Sequence, residues 1–171
     1  ADGQVGVTWP FVVRAALAQR TLDAALDCVL RARLAGGHDF LLLDAMGRGY
    51  NVEAMPTHTT VTPLHDRPLV HTNHCLDAAC QAREAPKSTE LQLSSVARLE
   101  VARRMLAGAV DRDLLFALLR EPSAICRRSS PPWHVESSGA VVARPDTREL
   151  WAVWGIPADH AFERFVVDRH D

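Results

Sequence analysis

The sequence predicts an α+β fold in which helices and antiparallel strand pairs fall in separate blocks. Two observations carry this. Apolar residues recur at three- and four-residue steps in several stretches, and the strand-like runs come as consecutive pairs joined by short turns rather than alternating one by one with helices. With 171 residues, 47% apolar and 23% charged, the chain is long enough for one domain with a sizeable core, and the expectation is a single domain over 1–171.

The first helix is expected from Thr21, a good N-cap, with Leu22, Ala25, Leu26, Val29, Leu30 and Leu34 on one stripe and Gly36-Gly37 as its stop. Phe40-Leu41-Leu42-Leu43 is a continuous apolar run, the pattern of a strand covered on both faces, and Met46-Gly47-Arg48-Gly49 turns it into a second strand through Tyr50 and Val52. Further strands are expected at Thr59–Thr62 and Leu69–Thr72, separated by a turn ending in Pro68. Residues 77–94 are polar without a clear period and read as a surface loop that exposes Cys80. Ser94 or Ser95 then caps one helix and Asp111 another. After the break Ser129-Ser130-Pro131-Pro132, Ala140–Ala143 and Leu150–Trp154 form a hairpin with Trp151 and Val153 on one face, and a last strand runs from Phe162 to Val167.

Composition excludes several classes of function. A net charge of −2 with arginines spread along the chain supplies no basic field for nucleic acid. No run approaches the ~20 apolar residues that span a bilayer, so no membrane partner is expected. Four cysteines without regular pairing fit reduced thiols in a cytoplasm.

The most informative stretch is Pro68-Leu69-Val70-His71-Thr72-Asn73-His74-Cys75-Leu76, where an apolar run ends in five uncharged polar or reactive side chains. A neutral amide at such a point can hold a developing oxyanion at ~2.7–3.1 Å without a proton of its own to manage. The plainer alternative is an asparagine that bonds to a nearby turn. His71, His74, Cys75 and Cys80 invite a metal reading, but no second ligand pair stands at finger or ribbon spacing, and strand alternation points His71 and Asn73 one way, Thr72 and His74 the other. The expectation is therefore no metal, with both histidines as hydrogen-bonding supports. Cys75 paired with a neighbouring histidine would be a nucleophile, yet strand neighbours rarely align that way, and it reads as a small buried apolar residue.

The string LVHTNHCL resembles a motif of the acyl-coenzyme A:isopenicillin N acyltransferase family of N-terminal-nucleophile hydrolases, and the resemblance extends along the chain. Pro10-Phe11-Val12-Val13-Arg14, Asn51-Val52-Glu53-Ala54-Met55-Pro56, Ser123-Ala124-Ile125-Cys126-Arg127 and Ser137-Ser138-Gly139-Ala140 each look like family segments in the same order. The resemblance implies a four-layer αββα sandwich, of which this chain is the C-terminal portion. It also implies autocatalytic cleavage that frees a cysteine at a new terminus. Cys28, Cys75, Cys80 and Cys126 are all internal, so the nucleophile is expected in the N-terminal part of the same precursor or in a second subunit.

On the same resemblance Asn73 carries over as the oxyanion donor, and Glu53, Ser137 and Ser138 fall near the reacting centre. Glu53 on a strand near a turn reads equally as a structural acceptor. His71 is a candidate for lining the acyl pocket, as is Trp133 after the Pro-Pro break. Ser138 stands where the family carries arginine, and Met55 where fungal members carry serine. Both departures argue against a penicillin-like carboxylate held in the same way. The implied activity is that of an amidohydrolase or acyltransferase on a linear amide or thioester of a small N-acylated metabolite. No cofactor is implied, and the acyl donor is a small molecule, acyl-coenzyme A among the candidates. The alternatives are a non-catalytic scaffold with the same fold and an enzyme made of this chain alone.

Overall fold

The structure, a computed structural model, describes residues 3–131 and 134–168. It is mixed α and β with two small antiparallel sheets, and the chain packs as two compact units, Ala1–Ser95 and Val96–Asp171.

The first unit opens with a helix that the sequence pattern did not single out, α1 (Trp9–Leu17), entered from the extended Thr8 with Pro10 in its first turn, where a missing N–H costs nothing. Helix α2 (Leu22–Arg31) starts as expected, with the Thr21 hydroxyl accepting from Ala24 N–H at 3.2 Å. It stops earlier than Gly36-Gly37, because Ala32 is already extended and Leu34 bridges Val7. The antiparallel strands β1 (His38–Leu43), β2 (Gly49–Met55) and β3 (His58–Pro63) follow, with β2 in the centre. Gly47 takes the positive φ of +79° that the β1–β2 turn needs.

Pleating divides the residues of β2 between two faces. Val52 and Ala54 join Val12, Ala16, Val29, Leu34 and Phe40 in the core under α1 and α2. Asn51 and Glu53 lie on the opposite face and are buried as well. The expected burial of both faces of β1 is not found in this chain, since Leu41 and Leu43 are 58% and 50% exposed.

No strand forms at Leu69–Thr72: the segment joins no ladder and is held by side chains instead. The region 77–94 is not a loop either. A one-turn helix, α3 (Ala78–Gln81), is capped by Asp77, whose carboxylate accepts from Ala79 N–H and Cys80 N–H at 2.9 and 3.0 Å, and Cys80 is fully buried rather than exposed. Helix α4 (Thr89–Met105) starts before Ser94 and Ser95, with Ser88 Oγ accepting from Leu91 N–H at 3.3 Å. Ser95 is thus an interior helix residue, and it is fully buried.

In the second unit the Asp111 cap stands, accepting from Leu114 N–H at 2.8 Å at the start of α5 (Arg112–Leu119). The strands β4 (Gly139–Arg144), β5 (Glu149–Trp154) and β6 (Glu163–Val166) form a meander, and Val142, Trp151 and Val153 fill its inner face as the alternation predicts. Phe116 of α5 stacks on Phe162 with ring centroids 4.3 Å apart and meets Trp151 edge-on at 6.2 Å. Among the described residues no helix is long and apolar enough to cross a membrane.

Candidate functional site

The residues singled out around Asn73 form one densely bonded loop in the first unit. Asn73 itself is exposed, while its neighbours from His71 to Asp77 are buried or half-buried. On the sheet side, Glu53 Oε1 accepts from His71 Nε2 at 2.7 Å and from Leu76 N–H at 2.5 Å, and Oε2 accepts from Asp77 N–H at 2.7 Å. A carboxylate can only accept, which fixes the His71 proton on Nε2. His71 Nδ1 lies 3.5 Å from Asp39 Oδ2, and Asn51 Nδ2 donates to Asp39 Oδ1 at 2.9 Å. Strand pairing explains the gathering, since Asp39 sits directly opposite Glu53 in the β1–β2 register.

On the helix side, Thr72 Oγ1 donates to Ser95 O at 3.0 Å, and His74 Nδ1 lies 2.8 Å from Ser95 Oγ. Behind Asn73, Glu84 accepts from Cys75 N–H at 3.0 Å, Gln81 Nε2 donates to Cys75 O at 2.9 Å, and Lys87 Nζ bonds to both Asn73 O and Glu84. His71 and His74 therefore point to different elements, as the sequence predicts for alternating positions, although no strand imposes it.

Burial and charge sort the titratable groups. Burial pushes the Cys75 thiol up to about 12, helped by the negative charges of Glu84 and Glu53. Such a thiol stays protonated at neutral pH and is a poor nucleophile. Cys75→Ala is accordingly expected to keep turnover within about twofold of wild type. An activity assay on that variant checks this, and loss of activity would mark Cys75 as the nucleophile instead.

Burial also raises Asp39 to about 6, against the opposing pull of His71 and of the Asn51 bond. A carboxyl whose folded value lies above its unfolded one contributes stability below pH ~4 and loses it as the pH climbs through 6. Asp39→Asn removes the charge that burial penalises. It is expected to be more stable than wild type by about 1–3 kcal/mol at pH 8 and no different at pH 3, read as melting temperature against pH.

Two groups among the described residues have the spacing to hold a metal ion, Asp39–Glu53–His71 and His58–Asp77–Cys80, with candidate ligand atoms within 4.8 Å of one another. Neither is the His71–His74–Cys75–Cys80 set, for which the sequence offers no second ligand pair. In both, the carboxylates are already engaged by protein donors, Glu53 by His71 and two backbone amides and Asp77 by the α3 amides. The partners of Glu53, Asp39 and Ser95 are the part of the network that local sequence did not reveal. They lie 12–24 residues away from the groups they hold.

Ser137 and Ser138 lie in the second unit. The Ser137 hydroxyl accepts from Arg127 N–H at 3.0 Å and donates to Ile125 O at 3.3 Å, so it ties two chain segments together. Ser138 is exposed at the edge of a concave surface that Val141, Trp154, His160 and Phe165 also line. Trp133 lies outside the described residues.

The site is one peptide, from His71 to Asp77, bonded to β2 and α4 within a mixed α and β chain. The class is that of the acyltransferases: residues 3–159 match the family model described as acyl-coenzyme A:6-aminopenicillanic acid acyl-transferase. The chain belongs to that family. It matches no curated protein.

Proposed function

We propose that this chain is the C-terminal part of an autoprocessed N-terminal-cysteine amidohydrolase or acyltransferase, with its αββα sandwich completed by the polypeptide that carries the cysteine. The terminal thiolate attacks the carbonyl carbon of a linear amide or thioester, and the carbonyl π pair moves onto oxygen. The Asn73 amide N–H donates to that oxyanion. When the oxyanion collapses, the carbon–nitrogen or carbon–sulfur bond breaks and the leaving group takes the proton held by the terminal amine. Water or an acceptor amine then releases the acyl group from the cysteine.

The observation that carries the reading is the fixed loop: Asn73 is the exposed residue of a peptide whose neighbours are bonded to β2 and α4. Family membership supports the acyl chemistry. The buried Cys75, Cys80 and Cys126 favour a nucleophile outside this chain. The exposed Leu41 and Leu43 on β1 favour further polypeptide packing on that face. The departures at Met55 and Ser138 favour a small N-acylated metabolite over a penicillin-like carboxylate. The test is turnover of a panel of acyl thioesters and N-acyl amines by the complete processed protein. Release of the acyl group from at least one supports the reading, and no turnover by a correctly processed protein favours a scaffold of the same fold.

A further inference from the structure

Glu53 closes the Asn73 loop through a single carboxylate. Its donors come from both sides of Asn73: His71 two residues before it, and the Leu76 and Asp77 amides three and four residues after. Only an ionised carboxylate offers two oxygens with lone pairs enough for three converging donors and no hydrogen of its own to clash with them. The carboxylate is 6% exposed, on the central strand of the sheet, where its own position is set by the β1–β2 and β2–β3 ladders. Placed this way, it transfers the rigidity of the sheet to the peptide that displays Asn73. A donor aimed at a developing charge is effective only when its orientation is set before the reaction, and an error of about 1 Å costs on the order of 10²-fold.

We propose that Glu53, acting through His71 and the Leu76–Asp77 amides, is a positioning residue that orients Asn73 for oxyanion stabilisation. This rests on the oxyanion role given to Asn73. Glu53→Gln keeps the volume but has one acceptor oxygen, and its NH₂ must face a backbone donor.

The test is a double-mutant cycle on the complete processed protein, assayed well below its melting temperature. Glu53→Gln is expected to lower kcat about tenfold or more with KM within about threefold, and to cost less than about threefold when Asn73 is already alanine. Unchanged kcat in Glu53→Gln, or the full loss repeated on the Asn73→Ala background, overturns the positioning role alone. Asn73→Ala with wild-type turnover removes the oxyanion reading and the positioning role with it. If Glu53→Gln fails to fold, His71→Gln, which leaves Glu53 its two backbone donors, is carried through the same cycle with the same criteria.

Discussion

Asn73→Ala is expected to lower kcat by roughly 10²–10³-fold while leaving the melting temperature nearly unchanged. Loss of one preorganised donor to an oxyanion removes stabilisation that exists only in the transition state, so kcat falls and KM moves little. The melting temperature is expected to hold because Asn73 is exposed and its neighbours His71, Thr72, His74, Leu76 and Asp77 keep their own bonds to β2 and α4. Steady-state kinetics and a thermal melt on one preparation check both. A wild-type kcat would take Asn73 out of the reaction, and a collapse in stability would make it a structural residue.

Glu53→Ala is expected to destabilise the fold by about 3–5 kcal/mol, or roughly 6–20 °C in melting temperature for a chain of this size. The substitution strips the acceptor from His71 Nε2, Leu76 N–H and Asp77 N–H at once, and each donor left unpaired away from water costs roughly 1–3 kcal/mol. The three costs are not additive, since a loop freed at one bond relaxes at the others. The Arg31–Asp27 pair offers a comparison: both side chains are more than half exposed, and Asp27→Ala should cost under about 1 kcal/mol. Melting curves of the two variants separate a buried acceptor from a surface ion pair. Equal small losses would mean that the Glu53 contacts contribute little.

The hairpins were legible because their signals are local. Met46-Gly47-Arg48 supplies the one residue that takes positive φ between β1 and β2, and the alternation in Leu150–Trp154 sorts Trp151 and Val153 inward. The Thr21 and Asp111 caps were legible for the same reason. What misled was also local. Leu69–Thr72 has the apolar-to-polar pattern of a strand, yet its fixing partners lie on β2 and α4, far away in sequence. Ser95 has the chemistry of a cap but is buried inside α4, where its hydroxyl meets His74. Cys80 follows a capping Asp77 in a polar stretch, and burial comes from α3 packing against β2 and β3. At the site, the family resemblance singled out Asn73 where residue types left a turn-bonding asparagine open, whereas the contacts of Glu53 depended on the β1–β2–β3 sheet that brings it under the loop.

In the proposed reaction the acyl group passes through a terminal cysteine outside this chain. Rapid acid quench of the complete protein during turnover of an acyl thioester, followed by intact-mass and fragment-mass spectrometry, reads where that group resides. The expected result is an added acyl mass on a polypeptide whose first residue is cysteine, with Cys28, Cys75, Cys80 and Cys126 unmodified. An acyl group on any of those four, or turnover with no acylated polypeptide at all, would contradict it.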